Sequence, residues 1–275
     1  MRRTNHGKML VLYPIYLILA ALILYPLIWM FYSSFKGNAD IFANVFALPT
    51  EFFLGNYITV FTEGAMGLYF RNSLLISIVS VIGLIAFSSL AAYAFATFRF
   101  RASTPLFLIL LIGLMVPPQA LIISGFKVMS ILNLLDTYWA LIFTYFGWTS
   151  FGVLVLRNFF QSVPRDIKDA ARVDGAGHWA MFSQIMLPLA RPSLSTVAIF
   201  YFMWVWNEFI YPLVYMQSPE KYTIPLGVLF FNSRFNIEWG LQMAALAVAT
   251  VVPLIVYYVF QKQFIRGILA GALKG

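Results

Sequence analysis

The chain contains no cysteine, which excludes disulfides and thiolate metal sites and says nothing further about its redox compartment. Histidine is almost as scarce: His6 and His178 stand far apart, with no thiol nearby to complete a metal site. Charge is thin, since Asp, Glu, Lys and Arg make up 10% of the 275 residues, against about 25% in a soluble domain. No G-x-x-x-x-G-K-[ST] phosphate loop occurs, so the chain carries no nucleotide-hydrolysing site of that kind. Serine, histidine and acid never gather at the spacing of an activated nucleophile. A chain with these gaps that moves a solute uphill needs a partner or an ion gradient to drive it.

What fills the chain is apolar: 61% of its residues are hydrophobic. Crossing about 30 Å of hydrocarbon takes roughly 20 apolar residues, and six runs are long enough: about 9–32, 73–98, 105–124, 138–158, 193–215 and 240–261. Inside a bilayer each backbone N–H and C=O must be satisfied within its own segment, and no alternating barrel pattern appears, so the spans are helices. The expected fold is an all-α, polytopic integral membrane protein of one domain, 1–275, with six transmembrane helices. The opening "MRRTNHGK" is a basic flank, and the run from Met9 to Tyr32 is too long for a signal-peptide core, so it is read as a retained first span.

Orientation follows from Lys and Arg. With six spans both termini share a side, and that side takes 13 of the 18 basic residues, among them Arg99, Arg101, Arg157, Arg165, Lys168, Arg172 and Arg191. Lys36, Arg71, Lys127, Lys221 and Arg234 fall on the other. Positive-inside bias puts the termini and the 159–192 loop in the cytoplasm. The net charge of +8 is thereby topology and needs no nucleic acid. Two outer connections, about 33–70 and 216–239, carry acids, aromatics, proline and glycine, and are expected either to present a folded surface or to pack over helix ends.

The cytoplasmic loop holds the most specific pattern, "DAARVDGAGHWAMFSQIMLP" at 169–188. Pro164-Arg165-Asp166 reads as a helix start. Ile167, Ala170, Ala171 and Asp174 follow at i, i+3, i+4, i+7 spacing and are expected on one face. Asp174-Gly175-Ala176-Gly177 breaks that helix, because glycine readily takes the left-handed conformation. A second short helix should run to Pro188, which closes or kinks it. The shape is a helix, a glycine corner and a helix, too polar to cross the membrane. Small Ala170 and Ala171 permit close approach by another surface, and Asp169 offers it a carboxylate.

Asp169-Ala170-Ala171, three residues, Gly175, nine residues and Ile185-Met186-Leu187-Pro188 resemble the E-A-A-x3-G-x9-I-x-L-P loop of permease subunits of binding-protein-dependent ABC importers. The departure is Asp169 where that family usually has glutamate. "RNSLLIS" at 71–77, "MVPPQ" at 115–119, "WNEFIYPL" at 206–213 and the tail "GILAGALKG" at 267–275 extend the resemblance toward the carbohydrate-uptake branch, particularly its six-span maltose-type permease. The resemblance implies a type I importer permease in a bacterial or archaeal cytoplasmic membrane. It implies that the 164–188 loop, through Asp169, Ala170, Ala171, Asp174, Gly175, Ala176, Ile185, Leu187 and Pro188, seats on a cytoplasmic ATPase dimer whose closure drives alternating access. The other implied partners are a second permease subunit, a different chain, and a solute-binding protein meeting the second outer connection; the tail is implied to reach the ATPase. Cofactors are expected only in the ATPase, which binds ATP and Mg.

Within the membrane, Asn207-Glu208 lies somewhat outward of the middle of the fifth span, where an ionisable group is costly and faces a cavity or a partner. It either bonds sugar hydroxyls and gates the path, or bonds a neighbouring helix. Gln119, after Pro117-Pro118, poses the same choice, since proline frees carbonyls that an amide can satisfy. Tyr201, Phe202, Trp204 and Trp206 can stack on pyranose faces or serve helix packing and the interfacial belt. The rival reading, an ion-coupled secondary transporter, calls for ion ligands in broken helices and paired repeats, and a bare membrane anchor would leave Asn207-Glu208 and the loop unexplained.

Overall fold

The computed structural model describes residues 6–234 and 238–272. Arg2, Arg3, Lys274, the last three residues of the "GILAGALKG" tail and residues 235–237 of the second outer connection lie outside the described residues. Among the described residues there is no strand. The helices are α1 (His6–Ser33), α2 (Asn38–Ala43), α3 (Gly55–Thr62), α4 (Met66–Thr97), α5 (Ser103–Ile112), α6 (Ile122–Ile131), α7 (Tyr138–Phe146), α8 (Ser150–Ser162), α9 (Arg165–Val173), α10 (His178–Ala180), α11 (Leu187–Leu189), α12 (Arg191–Trp206), α13 (Ile210–Tyr215), α14 (Ile224–Arg234) and α15 (Trp239–Ala272). They fall into two compact units, residues 1–67 with 227–251 and residues 68–226 with 252–275.

Among the described residues three unbroken helical stretches are long and apolar enough to cross a membrane: Leu12–Ser33, Met66–Thr97 and Trp239–Gln261. The apolar run expected over 138–158 bends by 41° between α7 and α8. The run expected over 105–124 is interrupted after Ile112, and Pro118–Leu121 forms a 3-10 turn ahead of α6. Consecutive Pro117 and Pro118 supply no N–H, so the α ladder cannot continue through them. The run over 193–215 breaks at 207–209, between α12 and α13. Three expected spans are therefore discontinuous, a form tolerated only where freed backbone groups find partners in the protein or water.

In the first unit α1 carries exposed Leu, Ile and Tyr along most of its length, the surface of a helix made for lipid or another chain. The connection after it is folded. Asn56 Nδ2 donates to the carbonyls of Ser34 (2.9 Å) and Lys36 (2.8 Å), Trp29 Nε1 donates to Val45 O (2.9 Å), and the Phe35 ring packs on Phe52 and Tyr57.

The second unit holds the main core, with Tyr145, Tyr201, Tyr215 and Phe160 fully buried. One tyrosine ties three of its elements. Tyr201 Oη on α12 donates to Thr149 O (3.0 Å) at the α7–α8 bend, accepts the Gly152 N–H (2.8 Å), and lies 3.1 Å from Ser88 Oγ on α4. Gly152 must lack a side chain here: a Cβ would stand 2.5 Å from that hydroxyl and 2.6 Å from Ser88 Oγ.

Candidate functional site

The 164–188 loop forms the bent two-helix shape that its glycine and proline imply. Gly175 has φ +82°. Gly175 N–H donates to Arg172 O (3.0 Å) and Ala176 N–H to Ala171 O (2.9 Å), the paired bonds with which a left-handed glycine closes a helix. Asp166 lies in the first turn of α9 and Arg172 in the last, each at the end of the dipole that favours it. Lys168 Nζ donates to Phe160 O (2.9 Å), pinning α9 to the end of α8. Burial, then the positive charges of Arg165 and Arg172, push the Lys168 ammonium below the usual lysine range. Its hydrogen bond to a carbonyl is made by the protonated form.

The four residues expected on one face of α9 divide. Ile167, Ala170 and Asp174 are exposed, whereas Ala171 turns inward and is buried. Asp169 is exposed and pairs with Arg172 at 3.2 Å on its own helix. Beyond the corner, Ala176, Ile185 and Leu187 pack against the buried core of the second unit, so Ile185 and Leu187 anchor the loop instead of lining its outer face. Pro188 does not end the second helix. Residues Met181–Met186 widen into a π-helix, with Leu187 N–H bonded to Phe182 O, and α11 carries the chain through the proline to Ala190. The axis then turns by 77° into α12. Tyr93 Oη donates to His178 O (3.3 Å) and its ring meets Phe182, which fixes the second helix against α4.

Two exposed residues in this loop were not among the sequence candidates. Val173 is 88% exposed and Trp179 70%. Tryptophan is among the residue types in which binding energy concentrates at protein interfaces. The signal was available: an unpatterned Trp inside an otherwise polar turn.

The residues singled out inside the apolar runs lie in different surroundings. Glu208 occupies the α12–α13 break, where its Oε1 accepts the N–H groups of Ile210 (2.8 Å) and Tyr211 (3.1 Å) and caps α13. Tyr211 Oη in turn donates to Pro118 O (2.7 Å), so the two broken runs meet through a backbone carbonyl of the 3-10 turn. Asn207 is exposed and donates to Met203 O (2.7 Å); Gln119 and Trp204 are exposed as well. Tyr201 departs from the expected sugar-stacking surface, being 0% exposed with its hydroxyl committed to the knot described above.

A second polar constellation holds the start of the second outer connection. Asp136, at φ +57°, accepts the N–H groups of Gln217 and Ser218 (both 3.0 Å), the Ser218 hydroxyl and the Lys221 ammonium (2.8 Å). Burial pushes its carboxyl up, but the bonds from Lys221 and Ser218 and the Gln217 N–H outweigh that and hold it far below the usual carboxylate range. Its hydrogen bond to Asp136 raises the Lys221 ammonium above the ordinary lysine range. Beside this, Asn72 Nδ2 donates to Glu220 O (2.8 Å) and Tyr222 O (3.0 Å), and Tyr138 Oη donates to Asn72 Oδ1 (2.8 Å). The 216–224 segment is thus held by Asn72 from α4, itself oriented by Tyr138 of α7, and by Asp136 from the turn between α6 and α7.

Residues 84–269 match the family described as binding-protein-dependent transport system inner membrane component. The chain is 33% identical to the diacetylchitobiose uptake system permease protein NgcG of Streptomyces coelicolor, over 93% of this chain and 85% of that one. It is 32% identical to the trehalose/maltose transport system permease protein MalG of Thermococcus litoralis, over 94% of each. Its fold superposes with a TM-score of 0.84, at 24% identity, on a chain of a bacterial ABC transporter involved in import of the acidic polysaccharide alginate, covering 96% of this chain and 99% of the other.

Proposed function

Because the chain belongs to the family of binding-protein-dependent transport system inner membrane components, a permease family of ABC importers, we propose that it forms half of a translocation path for a sugar or oligosaccharide, completed by a second, different permease subunit. The sugar permeases among its relatives support that cargo class. A solute-binding protein delivers the solute at the outer face, where the 216–224 segment held by Asp136 and Asn72 offers a preorganised surface. Both termini face the cytoplasm, in keeping with the distribution of Lys and Arg.

The observation that carries the coupling role is the 164–188 loop. Its exposed Ile167, Asp169, Ala170, Val173, Asp174 and Trp179 surround a left-handed glycine corner, and its other side is built into the core by Ala171, Ile185 and Leu187. Such an element is soft toward neither side. A cytoplasmic ATPase dimer, which holds ATP and Mg, docks on the exposed face, and its closure moves α9–α11 and with them α12 across the 77° turn. Glu208 keeps the α12–α13 break in one geometry, while Asn207, Gln119 and Trp204 stay open to the path. Tyr201 supports the path from inside the core.

The experiment is affinity purification of the full chain from its native membrane. Co-elution of an ATPase, a second permease and a binding protein, with hydrolysis rising when the binding protein and its sugar are added, is the expected result. Uptake by this chain alone in liposomes would overturn it.

A further inference from the structure

At the end of α4 the structure contains a cleft of about 530 Å³ that the transport reading does not use. Arg99 and Arg101 enter it from the α4–α5 turn, Ser103 and Thr104 from the start of α5, and Gln161 from α8. Phe95 and Phe100 form one wall, with their rings stacked at 6.4 Å. The wall continues inward: Phe107 packs on Phe95 at 5.6 Å, and the guanidinium of Arg157 stands 4.1 Å over the Phe107 ring. Arg157 lies one helical turn before Gln161, and Phe107 one turn after Ser103, so this third arginine sits just deeper along the same seam between α5 and α8. Its Nε is buried and has no hydrogen-bond partner. Among the described residues no carboxylate lies within ion-pairing distance of any of the three arginines.

The two guanidinium groups, two hydroxyls and amide that line the cleft are donors in excess, with the Arg157 guanidinium behind them, and together they call for an anion. The phosphate group suits them, because arginine forks match its oxygens in pairs. The surroundings select the carrier. The cleft lies at the cytoplasmic end of a spanning helix, and α5 beyond it buries none of its residues, exposing Leu106, Leu108 and Ile109. Apolar side chains leading away from a basic mouth fit acyl chains below a headgroup, and basic pockets between helices at the cytoplasmic side are where anionic headgroups seat. We propose that this cleft binds the phosphate headgroup of an anionic phospholipid of the cytoplasmic leaflet. The inference rests on the orientation given above but not on any transport activity.

The test is native mass spectrometry of the full chain, with whatever subunits it retains, from micelles containing equal phosphatidylglycerol and phosphatidylcholine. Wild type is expected to retain phosphatidylglycerol preferentially. Arg99→Gln combined with Arg101→Gln should weaken that preference roughly 30-fold, the worth of two basic side chains beside an anionic surface. Lysine at both positions keeps the charge but not the paired bonds, and should retain only part of that preference. Thr104→Glu, which puts a carboxylate in the cleft, is a second variant expected to expel the lipid. Thermal unfolding in pure phosphatidylcholine serves as the folding control and should not change. Undiminished phosphatidylglycerol retention by the glutamine double variant overturns the proposal. Displacement of the lipid by millimolar inorganic phosphate overturns the lipid assignment in favour of a free anion. Loss of the ATPase with lipid retained shows that the arginines serve that subunit instead. All these readings are taken without sugar uptake, so failure of the transport reading is separately visible.

Discussion

Gly175 and Trp179 make separable demands on the same loop. No atom lies within 4 Å of where a Cβ at Gly175 would sit, so Gly175→Ala meets only the backbone penalty of φ +82°. That penalty is about 1–2 kcal/mol, and it should appear as a weakened ATPase contact with normal membrane insertion. Gly175→Pro and Asp169→Lys are expected to abolish co-purification of the ATPase outright. Trp179→Ala removes a largely exposed ring whose contact within the loop is with Phe182 at 5.6 Å. It should weaken ATPase association by about 2 kcal/mol, roughly 30-fold, in a binding titration, with a far smaller effect on the melting temperature. Asp136 gives a pH prediction. Its folded carboxyl titrates far below the ordinary value of about 3.9, so the stability it adds is complete above that value and fades as pH falls from there. The Lys221 ammonium, raised when folded, contributes below about 10.4 and loses its contribution as pH rises through its folded value. Protease resistance of the 216–224 segment should therefore be flat between about pH 5 and 10 and drop at acid pH. Asp136→Asn should make the segment labile even at neutral pH.

At the scale of elements, the second helix of the loop is built around Pro188. Without the Pro188 N–H the ladder has one acceptor too many, and the π-helix at Met181–Met186 takes up the difference. Pro188→Ala is expected to let the α pattern return over 181–188. That would rotate Ile185 relative to the core, and hydrogen exchange should rise across 178–190 while ATPase coupling falls. This helix also shows where reading the chain succeeded and where it stopped. Gly175 was legible because a left-handed corner is a property of glycine itself. That Ala171 faces inward and Ala170 outward was not, since one residue of rotation is decided by Lys168 reaching back to Phe160. Ile185 and Leu187 entered through the resemblance to the permease loop, which carries no information on which side of a π-helix meets the core. The breaks at 113–121 and 207–209 were hidden within apolar runs; Pro117-Pro118 marked the first, while Asn207-Glu208 announced a polar site and not that Glu208 caps a helix.

For the whole molecule, low charge, six apolar runs and biased Lys and Arg pointed to a polytopic membrane protein because each reflects the bilayer, which acts on every residue alike. Tertiary joints are another matter. Asp136 and Lys221 are far apart in the chain, as are Asn72 and Tyr222, and nothing local marks them as partners. The prediction at this scale concerns the assembly: ATP hydrolysis by the purified complex should rise when sugar-loaded binding protein is added, and Asp136→Asn should raise the binding-protein concentration needed for half-maximal stimulation more than it lowers the maximum. Restoration by exchanging the pair, Asp136→Lys with Lys221→Asp, is not expected, because a lysine cannot accept the N–H groups of Gln217 and Ser218.

The knot around Tyr201 constrains how this chain can drift over generations. Ser88, Gly152 and Tyr201 share one small volume and one set of hydrogen bonds, so a methyl group gained at 152 is tolerable only if room opens at 88 or 201 in the same lineage. Among related permeases, alanine at the position of Gly152 is expected to travel with loss of the tyrosine hydroxyl or of the serine. The single change Gly152→Ala in this background should then be destabilising by about 1–3 kcal/mol in a detergent melt, the cost of a displaced buried hydrogen bond. Adding Tyr201→Phe should recover part of that loss. Three positions scattered over more than a hundred residues would be inherited as one character.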